Sequence, residues 1–200
     1  MDTRKLLAFA EVVTQMGRIE RHYEFPGTSR KENDMEHSFH LAVLAWYLVD
    51  SLSLDLDLGK VLRYALAHDF VEVHAGDTYI YSEDQVHLDN KQERETAAAQ
   101  RLAKDFPEFG GLHEAIEEYE RRDSREARFV YALDKLTPVI AIREDKGLSW
   151  QKSGVTLEMI IQNKAPKIAL SPEIEPYFKD LLALIEEEKL TADFHRAPGD

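Results

Sequence analysis

The chain has 200 residues, 44% hydrophobic and 32% charged, and its 38 acidic against 25 basic side chains give a net charge of −13. That length suits one domain with a sizeable core, and that charge repels polyanions at long range, so binding of a nucleic-acid polymer is set aside. There is no cysteine, which excludes disulfides, thiolate metal sites and a cysteine nucleophile and leaves nitrogen and oxygen to hold any metal.

The N-terminus, Met1-Asp2-Thr3-Arg4-Lys5, leads into an amphipathic stretch and not into a signal-peptide core. No apolar run approaches the ~20 residues that span a bilayer. A cytoplasmic location without a membrane partner is therefore expected. Apolar residues then recur at helical spacing. Leu6, Leu7, Ala10, Val13 and Thr14 trace a first stripe. Phe39, Val43, Trp46 and Tyr47 trace a second, on a helix that starts near Asn33 or Asp34. Asp57 can cap the next helix, whose stripe of Val61, Leu62, Ala65 and Leu66 runs into His68-Asp69.

From Gly76 to Ser82 the sequence reads as a loop. Asp89 opens a helix that lasts to about Phe106, where Pro107 and Gly110-Gly111 punctuate it. Leu112 to Arg121 is a short acidic helix. Ser124 can cap a long one through Phe129, Val130, Leu133 and Leu136. Ser171-Pro172-Glu173 predicts a helix start, followed by Tyr177, Leu181, Leu184 and Ile185. Phe194 to Asp200 reads as a loose tail. With no convincing alternation for a strand, the expectation is an all-α chain, short strands being left open. The expected organisation is one domain over residues 1–200, its core at about 6–145 and helices at 156–190 packed on it.

Three places carry chemistry. His68-Asp69 ends an apolar helical segment, where a charged carboxylate is costly without a partner. It is either a solvated helix end or half of a ligand set. Asp134 interrupts an apolar face made by Val130, Leu133 and Thr137. It either pairs with a buried Lys or Arg or ligates a metal, and Pro138 four residues on should kink the helix. His37, near the start of the second helix, is by itself a capping or core residue as readily as a ligand. Together the four make two imidazoles and two carboxylates, a set that suits manganese, iron, cobalt, nickel or zinc. His22, His40, His74, His87, His113 and His195 form no convincing second set, so one metal is expected.

The order His37…His68-Asp69…Asp134 resembles the HD superfamily of metal-dependent phosphohydrolases. Glu36-His37-Ser38, Ala67-His68-Asp69-Phe70-Val71-Glu72 and Gly76-Asp77 are similar to the branch of YfbR-type 5'-deoxynucleotidases and HD domain-containing protein 2. Residues 127–136, Ala-Arg-Phe-Val-Tyr-Ala-Leu-Asp-Lys-Leu, resemble its last ligand segment.

The resemblance implies a helical HD domain with His37, His68, Asp69 and Asp134 on one divalent transition metal. It implies a nucleotide substrate, phosphate contact by Arg18 with Ile19 beside it at the substrate, and a substrate loop of Asp77, Thr78, Tyr79 and Ile80. Glu72 takes the place of the acid needed for hydrolysis, with Asp77 the next candidate, and a homodimer is implied too. If the helix at 58–69 continues, Glu72 lies one turn past His68, near enough to orient a water and accept its proton. That branch has a tryptophan where this chain has Ile19, so weaker sugar discrimination is expected.

Two alternatives stand beside a 5'-nucleotidase. One is another HD enzyme, acting on a cyclic nucleotide, a nucleoside triphosphate or an alarmone. Val73 after Glu72 departs from the alarmone hydrolases' HDxxED, and no GYP motif of cyclic-dinucleotide enzymes is present. The other is a non-catalytic metal-binding regulatory module.

Overall fold

The computed structural model describes residues 2–79, 81 and 89–194. Among the described residues the chain is helical, as expected, with one two-stranded sheet. Helix α1 (Thr3–Met16) is capped by Asp2, whose side chain accepts from the Arg4 N–H at 2.9 Å. Strands β1 (Glu20–Glu24) and β2 (Lys31–Asn33) pair as a hairpin. Helix α2 (Asp34–Ser51) opens on a capping box. In it Asn33 Oδ1 accepts from the Glu36 N–H at 3.0 Å, and the Glu36 carboxylate accepts from the Asn33 N–H at 3.2 Å. Helix α3 (Leu58–Ala67) is capped by Asp57, as its sequence predicts.

Beyond them lie α4 (Glu72–Ala75), α5 (Lys91–Asp105), α6 (Gly110–Arg121), α7 (Arg125–Glu144), α8 (Leu148–Lys152), α9 (Leu157–Ile168) and α10 (Glu175–Glu187), then a 3₁₀ turn at Ala192–Phe194.

The chain divides into two compact units, Met1–His22 with Glu32–Ala127, and Tyr23–Lys31 with Arg128–Asp200. In the first, α2 packs on α3 and α3 on α6. Leu41, Ala45, Val61 and Tyr64 are buried there, and the Tyr64 hydroxyl donates to Glu118 at 2.6 Å. Phe9 of α1 stacks on Phe70 and meets Phe106 and Phe109 edge-on at 5.3 and 5.2 Å. The second unit has α9 against α10, with Ile160, Ile168, Ile174, Phe178 and Ile185 buried. Gly147 is required there. Its φ is +74°, and a Cβ would fall 2.0 Å from the Leu190 carbonyl oxygen.

Several local expectations are corrected. The stripe Phe39, Val43, Trp46 and Tyr47 faces outward, with Phe39 68% and Tyr47 63% exposed. The face of α2 turned inward carries His37, Ser38, Leu41, Ala42, Ala45 and Val49. Helix α2 is apolar around most of its circumference, so periodicity did not choose the face. Small Ala42 and Ala45 allow close approach to α3. Leu6 and Leu7 are likewise exposed on α1, while Val12 and Met16 are buried.

Helix α3 does not run on to Glu72. It ends at Ala67, and a turn intervenes in which the Glu72 N–H donates to the Asp69 carbonyl at 2.9 Å. The last long helix starts at Glu175, not at Ser171. Ser171 Oγ donates to Glu173 at 2.7 Å, and the Ser171 carbonyl accepts from Ile174 and Glu175, which makes 171–174 a turn.

Candidate metal centre

Helices α2, α3 and α4 and strand β1 of the first unit bring titratable side chains together. The capping box fixes the first turn of α2, so Asp34 and His37 lie one turn apart and both are fully buried. His68 and Asp69 follow the last turn of α3, and Glu72 begins α4. One ligating atom from each of His37, His68 and Asp69 lies within 4.8 Å of the others. The His37 and His68 ring centroids are 5.4 Å apart.

Each ring is held by a neighbour. His68 Nδ1 is 3.0 Å from the Ala65 carbonyl oxygen. A carbonyl only accepts, so Nδ1 carries the proton and Nε2 faces the cluster. Glu32, buried on β2, sits 3.5 Å from His37 Nδ1, an arrangement that orients an imidazole. His68 Nε2 and Asp69 Oδ2 are 3.0 Å apart. Two ligands each ~2.1 Å from one ion and at right angles would be about that far apart. The donor set and the spacing thus fit a divalent transition metal.

Arg21 on β1 is the cation of this cluster. Its Nη1 donates to Asp69 Oδ2 at 2.9 Å and lies 3.4 Å from Asp34 Oδ1, while its Nε is 3.6 Å from Glu32. Burial would push Asp69 up, but the charges of His68 and Arg21 prevail and hold its carboxyl well below the usual range. Asp34 goes the other way. Burial first, then the Asp69 charge, pushes it up to about 7. Burial and the same Asp69 charge, joined by Asp34, carry Glu72 well above an ordinary glutamate. Glu72 is only 5% exposed, so the open solvated position is not what the chain adopts.

The other expected site residues are placed as follows. Arg18 is exposed and Ile19 half-buried, in the turn between α1 and β1. Asp77 faces His22 at 4.0 Å, and its charge acts on both Asp34 and Glu72. Thr78 is buried and accepts from Arg94 Nη2 at 2.8 Å; Arg94 Nη1 also donates to the Ala75 carbonyl at 2.6 Å. Tyr79 stacks on His22 with centroids 4.3 Å apart. Ile80 lies outside the described residues, as do His87 and His195. Asp134 belongs to the second unit. It is buried in α7, with Lys135 Nζ 2.6 Å from its Oδ2.

Sequence reasoning passed over Arg21, Glu32 and Asp34. Glu32 and Asp34 left little signal, because they stand with Glu36 in a polar run, Lys31 to Ser38, where nothing marks which acids are buried.

Comparison with known proteins agrees with this arrangement. Human 5'-deoxynucleotidase HDDC2 is 32% identical over 148 residues, 72% of this chain and 70% of that protein. The Xenopus laevis protein of the same name is 28% identical over 192 residues, 94% of this chain and 90% of that one. A crystal structure of a predicted metal-dependent phosphohydrolase from Magnetospirillum magnetotacticum MS-1 superposes with a TM-score of 0.82 at 32% identity, covering 95% of both chains. The profile of the HD domain family matches residues 14–175. With the histidine and aspartate cluster built on its first helices and that match over most of its length, the chain belongs to the HD domain family.

Proposed function

We propose that this chain is a metal-dependent phosphohydrolase that releases phosphate from nucleoside or deoxynucleoside 5'-monophosphates. The observation that carries the reading is the buried meeting of His37, His68 and Asp69 with Glu72 beside them. The relatives named 5'-deoxynucleotidase support the substrate class. His37, His68 and Asp69, with Asp134 as fourth ligand on the order of the motif, hold one ion of manganese, cobalt, iron, nickel or zinc. Such an ion, when bound, draws charge from the phosphate and lowers the pKa of water from ~16 to as low as ~7.

The chain's own residues do the rest. Glu72 takes the proton of the attacking water at its carboxylate, with Asp77 the next candidate. Arg18 offers its exposed guanidinium, whose fork donates two parallel hydrogen bonds to phosphate. Thr78 and Tyr79 lie by the sugar, with Arg94 fixing Thr78. Ile19 stacks poorly against a sugar compared with the branch's tryptophan, so discrimination between ribose and deoxyribose is weak.

The test is phosphate release from a panel of mono- and triphosphates of both sugars, metal by metal. Monophosphates should be cleaved well and triphosphates poorly. Pyrophosphate or triphosphate as the main product overturns the reading in favour of another HD phosphohydrolase. No release from any nucleotide leaves a metal-binding regulatory module.

The same proposal includes one working domain over residues 1–200, a cytoplasmic location and a homodimer. The absence of cysteine supports a reducing compartment. Among the described residues no helix is long and apolar enough to cross a membrane. For the dimer, the outward face of α2 supplies a surface. Copies that each carry −13 can meet only where charge is sparse, and Phe39, Val43, Trp46 and Tyr47 make such a stripe. A two-fold axis at Val43 sets Phe39 of one copy against Tyr47 of the other. Sedimentation should show a dimer at micromolar concentration, and W46E with Y47E should give monomer. A wild-type monomer, or a dimer untouched by both changes, removes this interface.

A further inference from the structure

Glu72 and Asp77, the two acids offered as bases, stand at opposite ends of one short segment. Glu72 opens α4, and Asp77 follows Gly76, where the chain turns with φ at +74°. A single helical turn is marginal by itself, because few hydrogen bonds offset the ordering of its backbone. A group outside the segment must fix it.

Helix α4 packs on α5, and the half-buried Arg94 reaches from α5 to both sides of Asp77. Its Nη1 donates to the Ala75 carbonyl at 2.6 Å, and its Nη2 donates to the buried Thr78 Oγ1 at 2.8 Å. Ala75 is the last residue of α4, so its carbonyl has no donor within the helix. The hold passes to Glu72 through one peptide plane. The Ala75–Gly76 peptide gives its oxygen to Arg94 and its N–H to the Glu72 carbonyl, the latter at 2.7 Å. That plane is rigid, so the guanidinium fixes the Glu72 backbone at one remove. On the other side, the bond to Thr78 sets the residue next to Asp77. Beyond it Tyr79 stacks on His22 of β1, with the ring planes 20° apart, and Asp77 Oδ2 lies 4.0 Å from His22 Nε2. The segment from Ala75 to Tyr79 is thus held between Arg94 and His22.

We infer that Arg94 is a positioning residue for Glu72 and Asp77, holding α4 and the Asp77 turn with the two arms of its guanidinium. The inference rests on the reading of those two acids given above. Arg94 acts through the Ala75 carbonyl and the Thr78 hydroxyl. A planar fork can span those two acceptors, whereas a lysine ammonium is a point donor on a flexible stem.

Arg94→Ala is compared with Arg94→Lys, Thr78→Val and, as a control, the exposed Arg101→Ala. A misplacement of about 1 Å can cost about a hundredfold in rate. On that scale the kcat of metal-loaded Arg94→Ala should fall about a hundredfold, that of Arg94→Lys nearly as far, and that of Thr78→Val less. Metal content should stay full, because His37, His68 and Asp69 keep their places. Arg101→Ala should turn over at the wild-type rate. Ethylguanidinium should restore turnover to Arg94→Ala, and ethylammonium at the same concentration should not. A purely structural arginine would lower Tm and leave the kcat of folded, loaded chains unchanged, and that result overturns the inference. Equal rescue by the two cations overturns it too.

A second readout needs no turnover. In the NMR spectrum of the metal-free protein, the ring current of Tyr79 shifts the His22 ring protons. That shift should be lost in Arg94→Ala, reduced in Thr78→Val and regained when ethylguanidinium is added to Arg94→Ala. Thr78→Val, close in shape to the wild type, carries both readouts if Arg94→Ala does not fold. His22 signals identical in the wild type and the variants overturn the inference. If the wild type releases phosphate from no nucleotide, the nucleotidase reading fails, and the His22 signals still decide whether Arg94 positions the segment.

Discussion

Replacing His68 with alanine is expected to cost the chain its transition-metal ion and at least about a thousandfold of its turnover. The size follows from what the imidazole does. Nε2 is one of two nitrogens in the cluster, and no described neighbour offers a third. The remaining donors are carboxylates, which hold transition metals less selectively. His37→Ala should behave alike, and Asp69→Asn should add the loss of the Arg21 ion pair. Metal analysis after dialysis, read beside phosphate release, is the measurement. Full retention of metal by both histidine variants would place the ion elsewhere. Asp134→Ala is the matching test of the fourth ligand, which rests on motif order alone.

Glu72→Gln is expected to lower kcat by ~10²–10⁴-fold, the usual worth of general-base assistance, with little change in KM. Glutamine keeps the shape and the helix start but cannot take a proton. Because Glu72 is outside the His37, His68 and Asp69 group, the ion of that group should remain at full occupancy. Loss of that ion would make Glu72 its ligand. Full activity would move the base to another residue, Asp77 first. The contrast with His68→Ala is diagnostic: one variant loses metal and rate together, the other loses rate alone.

Most helices and the group of His37, His68 and Asp69 were legible because both leave short-range marks. A capping residue, a periodic stripe and a His-Asp pair are each read within a few positions; Asp57 and His68-Asp69 were found that way, and the start of α2 to within one residue. Three things were not legible. The direction in which α2 faces depends on its neighbours, and a helix apolar on most sides has the same period whichever side is buried. Phe39 and Trp46 therefore trace a regular stripe whose exposure the period does not reveal. Arg21 was invisible for a different reason. It meets Asp69 from 48 residues away on a short hairpin, and nothing within β1 separates it from an ordinary exposed arginine. Ser171-Pro172-Glu173 misled because the local signal for a helix start also fits a tight turn. The serine hydroxyl was spent on Glu173, two residues on.

The bond from His68 Nδ1 to the Ala65 carbonyl ties the imidazole to the final turn of α3. Helix ends are the parts of a protein that open most often, by local fluctuations far smaller than global unfolding. Each opening of that turn swings the ring and scatters the donor set. Ala65, Ala67 and His68 are buried, so a bound cation would lock a turn that is already packed, and amide hydrogen exchange near Ala67 is expected to slow when metal is added.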